Sequence, residues 1–588
     1  MGQITVAKAI ARVLEKMGTE VVFGVNGHGN WALLDAMVHE TRIRGVPARV
    51  EDQAVQMADG YWRTRRAAPL PIVTTSVGPG NMNIVPAIAT AFYESVALLV
   101  LAGAGATHWF DRGGMEEAYR NGPEDWVAVL KPITKKAFLI TRPDNAIDMI
   151  LRAYHTAISG RPGPVVVQIP FDIQHTLISD ELPDPGPWTQ WRPPAPNPEG
   201  VGEAMALLAN AKRPLLMVGS GVHNARANRE LVQFAEKTGI PVAMTATGKG
   251  TFPEDHPLSL GCIGRAGTGQ ANAAARRCDV LVGVGTHFTD IDTGGWTLFD
   301  IPERTQLIHL DIDPGELGRA YPTAVALACD AKVGLSVLTG AADGIAARGE
   351  WLEELSRERS AWEKSVDSLR QSDIAPLHYA RICHDTGLVV AEKDPEMPVF
   401  FDTGHLLSFA PAFLKASSSK IAHDGFFHRM GWSASAIVGA SIACGNRPAL
   451  ALIGDGSFLM GGTAVATAVE QDLPLIWVVF NNCSLQIERE LMLRIYGRES
   501  FCDYRNPKGE LWNPDIGKWA EAMGAASFRV DDATEYAPVL RRAIALRAPV
   551  VIDVAVSLEV AGYRSVWYPY PTDFYKAWIP GPAKSSAG

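Results

Sequence analysis

The sequence lacks the features of a secreted or membrane-spanning protein. No apolar run approaches the ~20 residues that a helix needs to cross a bilayer. The seven cysteines are odd in number and form no CxxC pair, which fits a reducing compartment better than a disulfide framework. Residues 1–18 have the pattern of an amphipathic helix, without the apolar core or cleavage site of a signal peptide. We therefore expect a cytoplasmic protein.

The sequence also has no excess of positive charge. Its 54 Lys and Arg against 64 Asp and Glu give a net charge of −10, which argues against nucleic acid or an anionic membrane as the partner. The composition, 47% apolar and 20% charged, is that of an ordinary globular protein. At 588 residues the chain is too long for one hydrophobic core, so several domains are expected.

Two segments divide the chain into three parts. The first, 183–200, is rich in proline, and the second, 349–372, is a charged helical stretch. Each part alternates short apolar strands with helices, which predicts an α/β fold with three doubly wound parallel sheets. The predicted domains are 1–182, 200–345 and 375–560, followed by a tail, 561–588, rich in Trp, Tyr and Pro.

Two polar segments near the C-terminus each follow an apolar run. Gly454-Asp455-Gly456-Ser457 follows residues 449–453, and Asn481-Asn482, about two dozen residues later, follows 473–480. Residues 458–472 have the length and composition of one helix. A strand–helix–strand crossover ends both strands on one edge of a sheet, where α/β proteins bind ligands.

We therefore predict that Asp455 and Asn482 lie side by side. A carboxylate and an amide oxygen suit Mg²⁺, which binds few protein oxygens and keeps its other positions for phosphate and water. The glycines and Ser457 open a helix whose N-terminal amides can receive a diphosphate. The two segments predict a magnesium–diphosphate site.

This pair of motifs resembles the fingerprint of the thiamine-diphosphate-dependent enzyme superfamily, GDG followed by about two dozen residues and NN. The resemblance extends over roughly residues 3–560 and is strongest to the acetolactate synthase branch. It implies thiamine diphosphate and Mg²⁺ as cofactors, with Asp455, Asn482 and the backbone carbonyl of Ser484 as metal ligands. The residues that it implies for cofactor binding are Gly27, Gly78, Gly404, His405, His428, Met430, Gly454, Gly456, Ser457 and Asn482.

Two of these implied roles are specific. In the family a bulky apolar side chain bends the cofactor so that its imino nitrogen meets the thiazolium C2, and Met430 occupies that position. The carbonyl of His428 is the implied partner of the cofactor's amino group. The imidazole rings of His108, His405 and His428 are expected to pack or to form hydrogen bonds.

The activating acid is expected in the first domain. Residues 50–63 resemble the family motif in which a glutamate begins a helix that ends in GYAR, and they assign that role to Glu51. In the family this carboxyl hydrogen-bonds the aminopyrimidine and favours the imino tautomer, whose nitrogen removes the C2 proton. This is acid–base catalysis through the cofactor's own ring.

The resemblance also bears on assembly and on a second cofactor. In the family the glutamate-bearing domain of one subunit meets the diphosphate-bearing domain of another, which implies at least a homodimer and usually a homotetramer. The central domain resembles those that hold FAD in acetolactate synthases, chiefly through residues 219–221 and 264–268. Related enzymes keep this domain with ADP or with nothing bound, so FAD remains open.

The sequence departs from acetolactate synthases where the substrate binds. The arginine of a GxRFDD stretch, which holds the second 2-oxo acid, is replaced by His287. The glutamine of an FQE stretch is replaced by Glu116. His28 and Asn30 lie in a glycine turn that resembles those of cyclohexane-1,2-dione and trihydroxycyclohexanedione hydrolases. His28, Glu116, Asn30 and His287 are thus candidates for proton transfer or substrate contact.

The sequence predicts an acetolactate synthase-like lyase or carboligase that makes or breaks a C–C bond in a 2-oxo acid or 1,2-dicarbonyl substrate. A hydrolase that opens a cyclic 1,2-diketone is an alternative that His28 favours. An FAD-linked 2-oxo acid oxidase is another and requires a reducible flavin. A non-catalytic cofactor-binding subunit has no need of Glu51, whose presence therefore argues against it.

Overall fold

In the computed structural model, which describes residues 2–116, 122 and 124–563, three six-stranded parallel sheets follow one another along the chain. Each sheet is flanked by helices, which confirms the predicted α/β class with three doubly wound sheets. Most of the predicted tail, 564–588, lies outside the described residues.

The first sheet contains strands between residues 21 and 170. An antiparallel pair, Gln3–Thr5 with Leu177–Ser179, lies beside it. In sheet order the strands are Arg44–Pro47, Val21–Gly24, Ile72–Thr75, Leu99–Ala104, Val165–Pro170 and Lys136–Leu139. The helices of this domain are Val6–Lys16, Trp31–Glu40, Glu51–Arg65, Pro79–Met82, Val85–Tyr93, Asp125–Leu130, Ala146–Ile158 and Phe171–His175.

The second sheet lies between residues 214 and 328. Its strands in order are Ser259–Cys262, Val242–Met244, Pro214–Val218, Val280–Val284, Gln306–Asp311 and Val325–Ala328. Its helices are Pro198–Asn210, Ser220–Asn224, Asn228–Thr238, Gly269–Arg277, Asp290–Thr293 and Ala331–Ala341. The charged stretch that follows is one helix, Gly349–Arg370, whose residues Trp351, Leu355, Trp362 and Val366 are buried, so it also contributes to packing.

The third sheet lies between residues 399 and 555. Its strands in order are Ile421–His423, Val399–Phe401, Ala449–Gly454, Leu475–Asn481, Val550–Ala555 and Ala526–Val530. Its helices are Tyr379–Lys393, Ala410–Phe413, Trp432–Ala443, Asp455–Gly461, Ala464–Glu470, Gln486–Tyr496, Ile516–Ala522 and Ala533–Leu546.

The single helix predicted over 458–472 was wrong. Two helices, Asp455–Gly461 and Ala464–Glu470, occupy this stretch and meet at Gly462 and Thr463. The break lies where the chain packs closely on other elements: a Cβ on Gly461 would lie 2.5 Å from the backbone oxygen of Gly431, and one on Gly462 would lie 2.8 Å from the ring of Trp519. The first helix begins at Asp455 itself, so the polar turn and the helix start coincide.

The first and third domains share one hydrophobic core, and two helices in close contact join them. Glu51–Arg65 packs against Trp432–Ala443 through glycines, since a Cβ on Gly60 would lie 1.9 Å from the oxygen of Ala436. An ion pair between Asp52 and Arg429 joins the same elements beside their polar ends. This contact fixes the start of the helix that carries Glu51 relative to the loop that carries Met430.

Within residues 2–116, 122 and 124–563, no helix is both long enough and apolar enough to cross a membrane.

Candidate active site

Asp455 and Asn482 lie together at the carboxyl edge of the third sheet. Their strands are parallel neighbours, with Gly454 opposite Phe480. The backbone N–H groups of Asn482 and Cys483 donate to Asp455 Oδ2 at 3.2 and 2.7 Å, and the N–H of Gly456 donates to Oδ1 at 2.8 Å. The structure thus brings the two predicted side chains into one site.

The electrostatics of this site suit a hard cation. Burial raises the pKa of Asp455 to about 6, against the N–H donors that lower it. The side-chain oxygen of Asn482 accepts from the N–H of Ser484 at 3.0 Å, and its amide donates to the hydroxyl of Tyr379 at 2.8 Å. A buried carboxylate beside an oriented amide oxygen fits Mg²⁺, whose charge would offset the cost of burying the carboxylate.

A second asparagine, Asn513, was not predicted from the sequence. Its side-chain amide donates to Asp455 Oδ2 at 2.8 Å and to Asn481 Oδ1 at 2.9 Å. It thereby ties the buried carboxylate to the neighbouring strand end. The one local signal is the Asn-Pro dipeptide, which indicates a turn and says nothing about a distant carboxylate.

A cavity of about 310 Å³ opens in front of Asp455. At Gly404, which has φ +90°, and at Gly454 a Cβ would point into open space, so these glycines leave the cavity clear. Among the described residues that line it, Arg265 is the only lysine or arginine. A bound diphosphate would therefore depend on a metal ion for much of its charge compensation. The predicted residues that line it are Gly404, His405, His428, Met430, Gly454, Asp455, Gly456, Ser457, Asn482 and Ser484.

The loop that carries Met430 is held by a buried aspartate. Asp402 accepts hydrogen bonds from the N–H groups of Gly431 at 3.0 Å and Ser433 at 2.9 Å. Met430 lines the cavity, near Gly456. His405 forms a hydrogen bond of 2.9 Å to the oxygen of Val560, as expected, and burial lowers its pKa to about 4, so it is neutral.

Glu51 belongs to a separate surface within the chain. It begins its helix at the edge of the first sheet and accepts a hydrogen bond of 2.9 Å from the side chain of Asn83. Gly80 lies against the same carboxylate. Among the described residues, none from 2–182 lines the cavity in front of Asp455. The acid and the metal site are therefore on different parts of one chain.

Three turns converge beside Glu51. A Cβ on Gly27 would lie 2.4 Å from Ser76 Oγ, and a Cβ on Gly78, which has φ +48°, would lie 1.9 Å from the oxygen of Glu116. His28 Nδ1 lies 3.6 Å from Glu116 Oε2, so the structure brings these two candidates together.

Asn30 and His287 contact protein groups within the chain, and their predicted substrate contacts stay predictions. Asn30 is buried, accepts from the N–H of Gly27 and donates to Val25 and Thr74, so its amide holds the turn. His287 Nδ1 lies 3.3 Å from Glu316 Oε2, in an ion-pair cluster at the contact of the first and central domains. Neither side chain lines the cavity at Asp455.

A second cavity, of about 320 Å³, lies between the first and central domains. It extends over the ends of two central strands, where Gly219 and Gly221 pack so closely on Gly285 that a Cβ would lie within 2.5 Å of it. The residues that provide its polar lining include Arg66, Arg161, Ser220, Asp311, Asp330 and Lys332. Ser220 and Gly221, from one of the two segments that resemble an FAD-holding domain, line this cavity, whereas none of residues 264–268 does.

Comparison with known proteins agrees with this geometry. Residues 4–122 match the family model described as thiamine pyrophosphate enzyme, N-terminal TPP binding domain. Residues 201–338 match the central domain of the same family, and residues 402–554 match its C-terminal TPP binding domain. The matches include Glu51, Asp455 and Asn482.

Curated relatives cover almost the whole chain. The acetolactate synthase large subunit of Corynebacterium glutamicum is 32% identical over 562 residues, 94% of this chain and 87% of that protein. A probable acetolactate synthase large subunit of Methanocaldococcus jannaschii is 31% identical, over 94% of this chain and 91% of that protein. An acetolactate synthase of Arthrospira platensis is 28% identical over 96% of both chains. The chain belongs to the thiamine pyrophosphate-dependent enzyme family, in its acetolactate synthase-like branch.

Proposed function

We propose that the protein is a Mg²⁺- and thiamine-diphosphate-dependent lyase or carboligase of the cytoplasm, acting on a 2-oxo acid or 1,2-dicarbonyl substrate. The observation that carries this proposal is the pairing of Asp455 with Asn482 at the mouth of the 310 Å³ cavity. Burial raises the pKa of Asp455, a cost that a bound cation would offset, and in a cavity lined by a single arginine among the described residues that cation would also compensate the charge of a diphosphate.

Each residue has a distinct part in this proposal. When bound, thiamine diphosphate supplies a carbanion donor and an electron sink. Asp455, Asn482 and the carbonyl of Ser484 would hold the metal, and Met430, which lines the cavity, would contact the cofactor. Glu51 would exchange a proton with the aminopyrimidine ring, and Asn83 orients its carboxylate through the 2.9 Å hydrogen bond.

We further propose that two subunits complete each site, in a homodimer or a homotetramer. The separation of Glu51 from the cavity within one chain supports this arrangement. Large apolar side chains are exposed on both surfaces, as a subunit contact requires. Met115, beside the glycine turns, is 71% exposed, and Phe501, next to the segment that pairs with Ser484, is 98% exposed.

The relatives are named acetolactate synthases, but pyruvate alone should be a poor source of acetolactate here. The arginine that would hold the second carboxylate is replaced by His287. The imidazole of His287 already pairs with the carboxylate of Glu316. Glu116 adds a negative charge near Glu51. A neutral acceptor, or water, is favoured over a second 2-oxo acid.

A second candidate is hydrolysis of a cyclic 1,2-diketone. The observation that favours it is the 3.6 Å approach of His28 to Glu116 beside Glu51, because a carboxylate-supported imidazole can position water or move a proton. An FAD-linked oxidase rests on the central cavity of about 320 Å³. That activity requires a bound flavin whose visible absorbance falls when substrate reduces it.

The test is to measure thiamine diphosphate binding with and without Mg²⁺, then turnover of a panel of 2-oxo acids and cyclic 1,2-diketones with aldehyde acceptors. We expect binding that needs Mg²⁺ and consumption of at least one substrate with little acetolactate. Ring opening without an acceptor would select the hydrolase. Binding that ignored Mg²⁺, or efficient acetolactate formation from pyruvate, would contradict the corresponding proposal.

A further inference from the structure

The guanidinium of Arg429 bridges the two elements that carry Glu51 and Met430. It pairs with the carboxylate of Asp52, the second residue of the helix that begins at Glu51. Its Nη1 also donates to the backbone oxygen of Met430, the residue that lines the cavity in front of Asp455. One side chain thus contacts both halves of the candidate active site within a single chain.

Gln56 adds a third contact to this guanidinium. In the orientation that satisfies its hydrogen bonds, the amide oxygen of Gln56 accepts from Arg429 Nε at 3.1 Å and from Nη1 at 3.2 Å. The amide nitrogen then donates to Ser435 Oγ at 3.1 Å, on the helix Trp432–Ala443. Gln56 follows Asp52 by one helical turn, so both lie on the same face of their helix. A planar guanidinium with several fixed donors suits such a divided arrangement better than a lysine ammonium would.

The contact is largely shielded from water. The side chains of Asp52 and Arg429 are 13% and 18% exposed, and Gln56 is 1% exposed. Burial raises the pKa of Asp52, and the charge of Arg429 opposes that shift. Loss of the arginine would leave a buried carboxyl group without its partner, directly beside Glu51 in the first turn of the helix. The helix start would then have to rearrange.

A second arginine–carboxylate pair joins the same two domains and provides a comparison. Arg49 Nη2 lies 2.7 Å from Glu470 Oε2, and the two side chains are 40% and 43% exposed. Exposed pairs of this kind contribute little to stability. Arg49 is two positions before Glu51, but its partner belongs to the helix Ala464–Glu470. The two pairs therefore separate contact between the domains in general from the specific link through Arg429.

We propose that Arg429 is a positioning residue that holds Glu51 and the loop of Met430 in one relative arrangement. It acts on the acid through Asp52 and on the loop through a backbone carbonyl. In the proposed dimer Glu51 and Met430 of one chain serve different sites, because no described residue of the first domain lines the cavity of its own chain. Arg429 therefore positions the acid of one site and the cofactor contact of the other. This inference rests on the proposed function and adds to it a link between the two sites.

The first test compares variants of the full chain loaded with thiamine diphosphate and Mg²⁺. Arg429→Met and Asp52→Ala should each slow C2 hydrogen–deuterium exchange by about 10–100-fold, the scale for a catalytic group displaced by about 1 Å. The double variant should be no slower than the slower single variant, because both changes break the same contact. Arg49→Met is the matched control and should stay within about 2-fold of wild type. Effects that multiply in the double variant, or an equal loss in Arg49→Met, would overturn the inference.

The link between sites is tested in a heterodimer with one working site. Glu51→Gln and Asp455→Asn are co-expressed with a different affinity tag on each chain and purified through both tags. The working site then combines the intact Glu51 of one chain with the intact Asp455 of the other. As cofactor is titrated, the fraction that exchanges rapidly at C2 reports the affinity and the rate of this site alone, since the other sites lack either the acid or the metal ligand.

Arg429→Met is then placed in one chain at a time. In the chain with the intact Glu51 it should slow C2 exchange about 10–100-fold and leave cofactor affinity within about 2-fold. In the chain with the intact Asp455 it should instead weaken cofactor affinity about 3–10-fold, through the loop of Met430. A general structural role would lower both quantities alike in both placements, and that result would overturn the inference. An effect in only one placement would refute the link between sites.

Amide hydrogen exchange of the apoprotein, followed by mass spectrometry, tests the contact without cofactor. Arg429→Met should speed exchange in residues 50–57, and Asp52→Ala should speed it in residues 428–433, each by about 10-fold, whereas Arg49→Met should change neither. Unchanged exchange in both segments would refute the positioning role. A wild-type protein without Mg²⁺-dependent C2 exchange, or a heterodimer without a working site, would count against the proposed function instead, and the apoprotein measurement would then decide this inference.

Discussion

The two halves of the candidate active site are prepared to different degrees within one chain. On the diphosphate side, Asp455 is buried and accepts hydrogen bonds from three backbone N–H groups and from Asn513. On the activating side, Glu51 is half-buried with one side-chain donor, and the side chain of Glu116 is 48% exposed. The buried Asp455 site can bind the cofactor without rearrangement. The exposed Glu51 side loses its water only when another protein surface covers it.

This difference has a physical consequence. Metal and diphosphate binding require ligands that are already oriented, since any ordering reduces the affinity. The activating acid needs instead to be shielded from water at the moment of proton transfer. A fold that places the acid at an exposed domain surface leaves this shielding to association of subunits, so a monomer should activate the cofactor hardly at all, even where it binds it.

The sharpest test of the comparison is Glu51→Gln. Glutamine keeps the size and can still accept from Asn83, but it cannot hold the proton at the aminopyrimidine ring. We expect C2 hydrogen–deuterium exchange to slow by about 10²–10⁴-fold, with cofactor affinity nearly unchanged. NMR of the quenched cofactor measures the exchange. Fast exchange in the variant would remove Glu51 from its assigned role.

Whether one site uses two chains can be tested by mixing. Glu51→Gln and Asp455→Asn should each be nearly inactive alone. Co-expressed, they form heterodimers in which one site combines the intact Glu51 of one chain with the intact Asp455 of the other. About a quarter of wild-type activity should return, if chains mix at random and one site of each heterodimer works. Activity that stays at the level of the single variants would place both residues in the same chain's site.

The sequence predicted the metal-binding half well and the rest unevenly, for a physical reason. Asp455 and Asn482 each directly follow a buried strand. The apolar runs and the distance between them in the sequence are therefore enough to predict that both lie at the same sheet edge. Asn513 reaches the same carboxylate from a loop 58 positions from Asp455 in the chain, where no periodicity constrains it. The interruption at Gly462 coincides with close packing on Trp519, a contact that the local sequence does not reveal. The pairing of Arg429 with Asp52, 377 positions apart, is likewise visible only in the assembled fold.

Asn513→Ala tests how much the hydrogen bonds of Asn513 contribute to Mg²⁺-dependent cofactor affinity. Without its amide, Asp455 Oδ2 loses one of three donors and the tie to Asn481. We expect Mg²⁺-dependent cofactor affinity to fall about 10–100-fold, as for lost residues that orient metal ligands. Calorimetric titration of the apoprotein measures this, and Asn513→Asp, which cannot donate, should be worse. Equal affinity in Asn513→Ala would show that the backbone donors suffice.

The smallest expected effect concerns the contact between the first and central domains, which lies outside both halves. Burial by itself lowers the pKa of His287, but its hydrogen bond to Glu316 raises the pKa above the ordinary 6.5. Burial alone likewise raises the pKa of Glu316, yet His287 and two arginines lower it to about 2. The stabilisation from His287 is complete below pH 6.5 and lost as the pH rises through its folded pKa. The stabilisation from Glu316 is present above pH 4.5 and lost as the pH falls towards 2.

The pair therefore stabilises the fold most between about pH 4.5 and 6.5. His287→Gln should lower the free energy of unfolding by about 1–3 kcal/mol in that window and by less at pH 8. Thermal unfolding of the apoprotein at pH 5.5 and pH 8, with His39→Asn as the exposed control, measures the difference. An equal loss of unfolding free energy at both pH values would mean that packing, rather than charge, stabilises this contact. A loss of turnover without a loss of stability would support His287 as a substrate contact.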